Sequence, residues 1–517
     1  MTRLCVSIYV EAIATAKRDI AEAIEAGAEM IELRLDVMTD LVLANQLVEA
    51  CSVPCIVTCR AAYEGGDCEL ADGERVVFLS TLATAHDAYY DLELIADKRV
   101  PHSNAGRLIL SSHDFKGRPD RLYNLMEEMN ARPAAVSKMA WMARSIRDCQ
   151  EAFELMQSRQ RPTIAQCMGE AGQISRILAK KFGGFLTFAA VREHATTAPG
   201  QPTIEQLKQV YRWDALDADT RVYGVVGSPI AHSMSPAVHN AAFAQAGINA
   251  VYVPLLVNKG YESFKAFMET YIVGDGPLQM DGLSVTIPHK ENALRYLREH
   301  GDGVDIEHLA RTIGAVNTIV VDRSHGKPQL AGRNTDYAAI LDTITSALSI
   351  DRSALKDKRI AVIGAGGTGR TGVAALAAAG ATVVVFNRTI DRAQALAREF
   401  DGKSGTVVAA PMDKLSECAC DIFINTTSLG MSPNVNDSPF GEHPPPLSSA
   451  NLVFDTVYNP PRTKLLQQAE SRGAQTASGV DMFIHQAAAQ FELWMSLPAP
   501  VDAMRQALTD RLTPPTL

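Results

Sequence analysis

The sequence has no apolar run long enough to cross a lipid bilayer. Its longest largely apolar stretch, residues 373–386, contains Gly380 and is shorter than the roughly 20 apolar residues that a membrane-spanning helix needs. A predicted strand begins directly after residues 1–4, which leaves no room for a cleavable targeting segment. We therefore expect a cytoplasmic protein.

Basic residues are scarce relative to acidic ones. The 517 residues include 49 Lys and Arg against 59 Asp and Glu, which gives a net charge of −10. This balance disfavours DNA, RNA and anionic membranes as partners, although an anion-binding active site can still be locally basic. We expect small-molecule partners and neither nucleic-acid nor membrane partners. The sequence does not set the oligomeric state.

Cysteines are few and scattered. Their number is nine, and an odd count without a secretory segment indicates free thiols. Cys51, Cys55 and Cys59 lie close together in the sequence, but two of them fall within one predicted strand and no histidine is near. Packing is therefore favoured over a metal or iron–sulfur site, and we predict no metal site.

Eight short apolar runs rich in β-branched residues alternate with helical stretches in the first 210 residues. The runs are residues 5–10, 30–36, 55–60, 90–96, 107–115, 134–142, 163–169 and 185–191. Eight such units predict a parallel (β/α)8 barrel, whose active site lies at the carboxyl ends of its strands. Five polar residues interrupt the runs near these ends: Glu32, Arg34, Arg60, His113 and Lys138.

Lys138 is the most informative of these residues, because residues 134–142 are otherwise apolar. Burial there would favour a neutral amine, which can attack a ketone and form a Schiff base. The iminium would acidify the adjacent C–H, and His113 could remove that proton and return one to a leaving hydroxyl. The predicted chemistry is dehydration of a β-hydroxy ketone. A snorkelling lysine and a structural histidine are the alternatives.

A carboxylate and three arginines fit this chemistry. Glu64 could orient the imidazole, and Arg34, Arg60 and Arg176 suit a substrate carboxylate and hydroxyls, because guanidinium groups bind carboxylates through two hydrogen bonds. Residues 1–210 resemble the type I 3-dehydroquinate dehydratases at residues 32–36, 60–66, 112–115, 138–140, 175–176 and 198–201.

That resemblance implies roles for the residues of the barrel. Lys138 would form the imine, His113 would be the general acid and base with Glu64 behind it, and Gln201 would belong to a lid over the substrate. Glu32 and Thr197 would also contact the substrate. Thr197 stands where a serine is usual, which implies an altered lid fit with the hydroxyl retained.

A second α/β unit is predicted after the short acidic segment 214–220. A strand at residues 221–226 leads to Ser233, and Ser235 is a natural N-cap for a helix that stops at Gly247. Two hydroxyls at a helix N-terminus suit a carboxylate, whereas capping alone would need only Ser235. Lys290 is predicted at the end of a further strand, with Asn317 and Asp336 at similar turns.

A glycine-rich segment at residues 364–369 follows a predicted strand, precedes an Ala-rich helix, and has a second strand about 20 residues on, as a dinucleotide-binding fold requires. The second strand ends in Asn387, Arg388 and Thr389, with Arg392 one turn later. An acidic residue there would bind the ribose of NAD, whereas arginine fits a 2′-phosphate. NADP is therefore the predicted cofactor.

From about residue 221 onward the chain resembles shikimate dehydrogenase, through short motifs that occur in order at residues 227–236, 285–290, 315–318, 334–336, 387–389, 425–427, 455–460 and 479–486. The resemblance implies that Ser233 and Ser235 bind the substrate carboxylate and that Lys290 and Asp336 form the catalytic pair. Other predicted substrate contacts are Thr286, Asn317, Tyr458 and Gln486. The predicted cofactor contacts are Gly364, Gly366, Gly367, Gly369, Asn387, Arg388, Thr389, Arg392, Thr426 and Gly479.

The order of the two activities is similar to that of the fused plant enzymes, and Ser284 matches their serine where many bacterial members carry asparagine. We expect a barrel at residues 1–213, a substrate domain at 221–335 with a C-terminal return at 480–517, and an NADP-binding Rossmann domain at 336–479. The expected small molecules are 3-dehydroquinate, 3-dehydroshikimate and shikimate.

Two other functions stay open at this point. The C-terminal half could act on quinate, although the presence of both Ser233 and Ser235 favours shikimate. The chain could also be a metabolite-sensing regulator built on the same folds. A regulator would be expected to have lost catalytic residues, yet Lys138 and Lys290 are present and no basic segment exists.

Overall fold

The computed structural model describes residues 2–100, 105–301, 303–402 and 404–512. The chain forms two compact units: the first comprises residues 1–236 and 248–281, and the second comprises residues 237–247 and 282–517. Within the described residues, no helix is both long enough and apolar enough to cross a membrane. The three predicted domain boundaries stay a prediction.

The first unit contains an eight-stranded parallel sheet that is nearly closed into a barrel. Its strands are β1 (Arg3–Tyr9), β2 (Met30–Arg34), β3 (Cys55–Thr58), β4 (Tyr89–Glu93), β5 (Leu108–Asp114), β6 (Val136–Met142), β7 (Thr163–Met168) and β8 (Leu186–Ala189). They are hydrogen-bonded in sequence order, and β1 also pairs with β8. At the seam between β7 and β8, the Phe185 amide donates to the Thr163 carbonyl at 2.8 Å. The predicted barrel is confirmed.

Helices follow the strands and cover the barrel. They are α1 (Ile13–Glu25), α2 (Leu41–Ala50), α3 (Asp72–His86), α4 (Leu94–Arg99), α5 (Leu122–Asn130), α6 (Asp148–Gln157) and α7 (Gln173–Ile177). Seven of the eight strands end one to three residues earlier than predicted. Strand β3 stops at Thr58, so Cys59 and Arg60 belong to a loop, and β4 stops at Glu93, after which α4 begins.

Apolar side chains fill the barrel at the amino ends of its strands. Cys5, Met30, Ile56, Val136 and Ile164 are five members of this buried cluster, and each lies in the first half of its strand. The polar residues therefore lie toward the carboxyl ends, as the fold requires for an active site.

The first unit also contains β9 (Arg221–Gly227), β10 (Ala250–Leu256) and α9 (Tyr261–Met268), with β9 and β10 paired in parallel. The barrel contacts the segment after α9 directly. The Gln150 side chain of α6 accepts from the Leu278 amide at 3.0 Å and donates to the Leu278 carbonyl at 2.8 Å. The Tyr271 hydroxyl donates to the Ile146 carbonyl at 2.5 Å. These bonds satisfy buried polar groups on both sides of the contact.

The first part of the second unit is a mixed α/β structure. Its elements are most of α8 (Ser235–Gln245), β11 (Gly282–Val285), α10 (Lys290–Glu299), β12 (Asp305–Ile306), α11 (His308–Ile313), β13 (Thr318–Asp322) and β14 (Gln329–Arg333). Strand β13 is antiparallel to β11 and β14, and β12 is parallel to β14. The prediction that Lys290 ends a strand is wrong: β11 stops at Val285, a turn closed by His289 and Thr286 follows, and Lys290 is the first residue of α10.

The remainder of the second unit is a parallel sheet with helices on both sides. Its elements are α12 (Thr335–Leu348), β15 (Arg359–Ile363), α13 (Gly367–Ala378), β16 (Thr382–Asn387), α14 (Ile390–Phe400), β17 (Thr406–Pro411), β18 (Ile422–Asn425), β19 (Leu452–Asp455), α15 (Lys464–Glu470), β20 (Gln475–Ala477), α16 (Gly479–Met495) and α17 (Val501–Leu512). The strand order is 17-16-15-18-19-20, and separate apolar clusters cover the two faces. The predicted Rossmann-type domain is confirmed.

Candidate active sites

One cavity lies at the carboxyl end of the barrel. Every barrel residue predicted to act in catalysis or substrate binding lines it: Glu32, Arg34, Arg60, Glu64, His113, Lys138, Arg176, Thr197 and Gln201. They come from strands and loops along the whole barrel, so closure of the sheet brings them together. Their chemical roles stay predictions.

Lys138 lies on β6 and is buried, with 6% of its surface exposed. Its Nζ lies 2.8 Å from Asp91 Oδ2, 3.5 Å from Glu32 Oε1 and 4.5 Å from the centre of the Phe188 ring. The expected burial is confirmed, but the expected apolar surroundings are wrong, because two carboxylates from β4 and β2 face the amine. They compensate the cost of placing an ammonium group inside the barrel.

His113 and Glu64 form a buried pair beside the cavity. The imidazole Nδ1 lies 2.9 Å from Glu64 Oε2. Burial lowers the pKa of His113 well below 6.5, and the Arg60 and Lys138 cations lower it further. Burial also raises the pKa of Glu64 from 4.5 to about 8, against the opposing effect of Arg60. At neutral pH His113 is therefore an uncharged imidazole that can accept a proton.

Arg60 is the centre of a polar network that the sequence analysis missed. Its guanidinium group binds Asp91 at 2.8 Å, Glu93 at 3.1 Å and the Ser111 hydroxyl at 2.9 Å. Burial alone would raise the pKa of Asp91, but Arg60 and Lys138 hold it well below its usual range. Asp91 therefore stays ionised next to Lys138.

A signal for Asp91 and Glu93 was present in the sequence. They alternate in the run that forms β4, and residues two apart on a strand point to the same face. Two carboxylates on the inner face of a predicted barrel strand need cationic partners. Asp91 pairs with Arg60 and Lys138, and Glu93 pairs with Arg60 and Arg75.

Two carboxylates orient other parts of the cavity wall. Asp36 binds the Arg34 guanidinium through Nε at 3.1 Å and Nη2 at 2.6 Å, and it also accepts from the Arg60 backbone amide at 3.1 Å. Glu32 accepts from the Ser7 hydroxyl at 2.5 Å and the Thr58 hydroxyl at 2.9 Å. Arg34 and Glu32 are thus fixed before any ligand binds.

Two buried donors of the cavity have no hydrogen-bond partner within the described part of the chain: Arg176 Nε and Gln201 Nε2. Arg176 Nη1 binds Gln166 Oε1 at 2.8 Å, and burial lowers the arginine pKa to about 10. Gln201 Oε1 accepts from the amide and hydroxyl of Thr197 at 2.9 and 3.1 Å. Both donors belong to side chains that line the cavity, so an anionic or hydroxyl ligand could satisfy them.

A second group of predicted residues lies within the second unit. Lys290 and Asp336 form an ion pair, and the Lys290 carbonyl accepts from the Val316 amide at 3.0 Å. Asp336 is the second residue of α12, where Asn334 caps the helix by accepting from the Asp336 amide at 3.1 Å. Two helix N-termini thus bring the lysine and the carboxylate into contact.

Asn317 is fixed next to this pair by Thr335. The Asn317 amide donates to the Thr335 hydroxyl at 3.0 Å, and the Thr335 backbone amide donates to Asn317 Oδ1 at 2.8 Å. Gln490 of α16, which the sequence analysis missed, accepts from the Ser284 hydroxyl at 2.8 Å and donates to the Thr318 hydroxyl at 3.0 Å. No local sequence pattern relates Gln490 to Ser284, because they are 206 residues apart.

The other residues predicted to contact the substrate lie on different elements and loops. Gln486 donates to Gln490 at 3.4 Å, Thr286 is partly exposed after β11, and the half-buried Tyr458 ring contacts the Phe483 ring at 5.3 Å. Ser233 and Ser235 belong to the first unit, where the Ser235 amide donates to the Ser233 hydroxyl at 3.3 Å. Helix α8 begins at Ser235, one residue earlier than predicted.

The glycine-rich turn between β15 and α13 forms an open cradle. Gly364 has a φ of +114°, and a Cβ on Gly369 would approach the Gly364 carbonyl to 2.2 Å. A Cβ on Gly366 or Gly367 would meet no atom within 4 Å. Gly364 and Gly369 therefore permit the tight turn, and Gly366 and Gly367 leave space at the N-terminus of α13, where a pyrophosphate would bind.

The other residues predicted to bind the nucleotide lie at or near the ends of strands and helices. Asn387 at the end of β16 accepts from the Ala365 amide at 3.1 Å and donates to the Thr389 carbonyl at 2.8 Å. The Thr426 hydroxyl donates to the Ile363 carbonyl at 2.9 Å. Arg388 and Arg392 are exposed. Gly479 lies at the start of α16, where a Cβ would approach the Thr456 carbonyl to 2.4 Å.

Four families match successive parts of the chain. Residues 4–218 match the type I 3-dehydroquinases. Residues 225–319 match the shikimate dehydrogenase substrate binding domain, residues 346–455 match the shikimate / quinate 5-dehydrogenases, and residues 479–509 match the shikimate 5′-dehydrogenase C-terminal domain. The order agrees with the order of the two predicted catalytic parts.

Relatives cover the chain in whole or in part. The chloroplastic bifunctional 3-dehydroquinate dehydratase/shikimate dehydrogenase of Arabidopsis thaliana is 36% identical over 98% of this chain and 84% of the relative. A shikimate dehydrogenase (NADP(+)) of Methanopyrus kandleri is 37% identical over 58% of this chain and 98% of its own length. The solved shikimate 5-dehydrogenase of Thermus thermophilus, in complex with NADP(H) and shikimate, is 32% identical over 57% of this chain and all of its own, with a TM-score of 0.47. The chain belongs to the family of bifunctional 3-dehydroquinate dehydratase/shikimate dehydrogenases.

Proposed function

We propose that this chain catalyses two successive reactions. The barrel dehydrates 3-dehydroquinate to 3-dehydroshikimate, and the C-terminal part reduces that product to shikimate with NADPH. The observation that carries the proposal is the barrel cavity, because its lining brings together a buried lysine, an uncharged imidazole and guanidinium donors. Membership of the bifunctional family supports both activities.

In the first reaction, Lys138 gives up one proton and its neutral Nζ attacks the ketone carbon. The ketone oxygen takes up that proton and a second one from the nitrogen and leaves as water, which gives an iminium that withdraws electrons from the neighbouring carbon. Asp91 and Glu32 hold Nζ at the cavity wall. They also stabilise the positive charge that the nitrogen carries once the iminium has formed, since both carboxylates lie close to it.

His113 then takes the proton next to the iminium carbon. Elimination breaks the bond to the β-hydroxyl, and the same imidazole gives its proton to the departing oxygen, which leaves as water. Glu64 fixes the ring through the hydrogen bond between its Oε2 and Nδ1, which lie 2.9 Å apart. Hydrolysis of the iminium then releases the unsaturated ketone and regenerates Lys138.

Recognition of the substrate is assigned to the donors without partners in the described chain. Arg176 Nε and Gln201 Nε2 suit the substrate carboxylate, and Arg34, held by Asp36, suits its hydroxyls. A carboxylate that pairs with the guanidinium group would offset the cost of burying Arg176 without an anionic partner. Thr197 stabilises the lid position of Gln201 through its hydroxyl and amide.

In the second reaction, Lys290 and Asp336 hold and transfer the proton at the ketone oxygen. The ammonium group stabilises the oxygen as it becomes an alkoxide, and the carboxylate keeps the lysine in place. Asn317, which Thr335 holds in place, is assigned to a ring hydroxyl of the substrate. Ser233 and Ser235 are assigned to the substrate carboxylate on the basis of family membership.

The second unit has the features that NADP requires. The turn at residues 364–369 leaves room for the pyrophosphate, and the exposed Arg388 and Arg392 can pair with the 2′-phosphate. When bound, NADPH supplies the hydride to the carbonyl carbon. Asn387 shapes the turn by holding the Ala365 amide.

One experiment tests the whole proposal. The full-length protein is supplied with 3-dehydroquinate and either NADPH or NADH, and both the products and the loss of reduced cofactor are followed. Shikimate should form with NADPH, and omission of cofactor should stop the reaction at 3-dehydroshikimate.

Borohydride added with 3-dehydroquinate should attach the substrate skeleton to Lys138, and a label at another residue would contradict the imine assignment.

A further inference from the structure

Two cysteines lie at the base of the loop that carries Arg60 and Glu64. The Cys59 thiol donates to the Cys68 thiol with the sulfur atoms 2.7 Å apart. The Cys68 amide donates to the Arg60 carbonyl at 3.1 Å, and Ala61 and Cys68 form a β-bridge. The backbone therefore holds the two thiols in contact at the two ends of one loop.

The two thiols differ in access and in proton affinity. Cys68 is 6% exposed and Cys59 is fully buried. The hydrogen bond from Cys59 lowers the pKa of Cys68 from 9.0 to about 7, whereas the pKa of Cys59 is raised well above its usual value. Cys68 is thus the thiol that ionises first, and the thiolate is the reactive form of cysteine.

The base of this loop is connected to the cavity through hydrogen bonds. The backbone amides of Arg60 and Asp67 donate to Asp36 at 3.1 and 3.3 Å, and Asp36 also holds Arg34. The Cys59 carbonyl accepts from Arg75 at 2.8 Å, and Arg75 binds Glu93. A displacement of Cys59 or Cys68 is therefore transmitted to groups that line or support the site.

We propose that Cys59 and Cys68 form a reversible disulfide that acts as an oxidation switch on the barrel reaction. This inference rests on the proposed dehydratase function for its effect on activity, but formation of the bond does not depend on that function. The oxidant class is a peroxide, and the reductant class that reverses the switch is a dithiol.

The chemistry balances in two steps. The Cys68 thiolate attacks one oxygen of hydrogen peroxide, which gives a sulfenic acid and, with one proton, a water molecule. The Cys59 thiol then displaces the hydroxyl of that sulfenic acid, which leaves as a second water molecule as the S–S bond forms. Together the two thiols lose two electrons and two protons, and peroxide is reduced to two water molecules.

Bond formation should lower the rate of dehydration. The disulfide shortens the distance between the two sulfur atoms and so pulls the two ends of the loop together. This movement shifts Arg60, Glu64 and Arg34 relative to Lys138. Because misplacement of catalytic groups by about 1 Å can cost about 100-fold in rate, we expect the turnover number to fall by roughly tenfold or more. The NADPH-dependent reduction takes place in another part of the chain and should keep its rate.

The test uses the full-length protein treated with hydrogen peroxide and then with dithiothreitol. Peptide mass analysis should show one cross-linked pair containing Cys59 and Cys68, and the dehydratase rate should fall and recover while the shikimate dehydrogenase rate stays constant. A different cross-linked pair, or oxidation of Cys68 without a cross-link, would overturn the proposal.

Variants separate the switch from general damage. Cys68→Ser should keep the dehydratase rate within about twofold before oxidation and should be resistant to peroxide. Cys418→Ser removes one thiol of another close pair, in which Cys418 and Cys420 have sulfur atoms 3.1 Å apart, and it should stay sensitive. If Cys68→Ser loses dehydratase activity in peroxide as fast as the parent, the switch is refuted. A cross-link without any change in rate would refute the regulatory effect but not the disulfide.

Discussion

His113 and Glu64 are joined by two hydrogen bonds that end on the same oxygen atom. The His113 backbone amide and its Nδ1 lie 3.0 and 2.9 Å from Glu64 Oε2. Main chain and side chain are therefore held by one carboxyl group. When Nδ1 is the donor of this hydrogen bond, Nε2 is the proton acceptor of the imidazole, and Glu64 then selects the tautomer that the proposed elimination needs.

The first prediction concerns the pH dependence of stability at Glu64. The pKa of this carboxyl group is raised from 4.5 to about 8, so the folded chain binds the proton more tightly than the unfolded chain. Its contribution to the free energy of unfolding is fully present below pH 4.5 and is lost as the pH rises through about 8. The pKa of His113 is lowered, so the folded chain binds this proton less tightly than the unfolded chain, and the free energy of unfolding falls as the pH drops below 6.5.

Between pH 6.5 and 8, the pH dependence that this pair gives to the free energy of unfolding therefore comes from Glu64 alone. Glu64→Gln should make the loss of unfolding free energy across that window smaller than in the parent, because the amide does not titrate. Urea unfolding at several pH values measures this difference. Glu49→Gln, at an exposed position of α2, is the control and should keep the parental pH dependence. An unchanged slope in Glu64→Gln would contradict the raised pKa.

The second prediction concerns Asp91, which binds Lys138, Arg60 and the Ser111 hydroxyl. Asp91→Asn removes the charge that compensates two buried cations, and loss of one partner of a buried pair typically costs about 3–5 kcal/mol. We expect a loss of at least about 2 kcal/mol of unfolding free energy, since the amide retains some hydrogen bonds. Dehydratase turnover should also fall by roughly 100-fold, because Lys138 loses one of its two anchors.

Asp87→Asn is the matched control for Asp91→Asn. Asp87 pairs with Arg107 at the surface, where its side chain is 78% exposed, and exposed ion pairs contribute little. Chemical denaturation and a dehydratase assay of both variants make the comparison. Equal stability of the two variants would show that the polar network around Arg60 does not depend on the charge of Asp91.

Much of the barrel site could be predicted from sequence because its residues occur at strand ends. The spacing of apolar residues and the residues that interrupt it predict all eight strands. Because parallel strands in a barrel end at one rim, the sequence also predicts that Lys138, His113 and Arg60 lie together. The groups that surround Lys138 could not be predicted from the sequence pattern. Asp91 reaches Lys138 only because β4 and β6 face the same barrel interior, and this depends on closure of the sheet.

The second unit shows the same limit. Lys290 and Asp336 were recognised from motifs, but the lysine was expected at a strand end and lies at a helix N-terminus, since residues 286–289 form a turn. Gln490 was missed because its partners, Ser284 and Thr318, are remote in sequence. Local patterns predict elements and their ends, whereas buried hydrogen-bond networks depend on how distant elements pack.

The third prediction concerns Arg388, which is exposed at the end of β16. Arg388→Ala should raise the Michaelis constant for NADP and leave that for NAD nearly unchanged, because only NADP has a 2′-phosphate. A hydrogen bond to a charged group contributes about 1.5–3 kcal/mol, so the parent should favour NADP by at least about tenfold. Steady-state kinetics with both cofactors measures the preference, and Arg398→Ala, an exposed arginine of α14, is the control. Equal efficiency of the parent with the two cofactors would refute the assignment.

The last prediction concerns the Lys290 and Asp336 ion pair. If the pair acts on the proton in the transition state, Lys290→Ala should lower the dehydrogenase turnover number by about 100- to 10,000-fold, the range typical of general acid–base catalysis, and should change the Michaelis constant for shikimate little. Asp336→Asn should also be impaired.

The double variant should be no slower than the slower single variant, because the two residues work as a unit. The dehydratase rate of each variant is the internal control, since Lys138 and its cavity lie in the barrel, and it should stay at the parental value. Near-normal turnover in Lys290→Ala with weakened shikimate binding would contradict the prediction. In that case the lysine would be a substrate anchor, and the proton would come from another group.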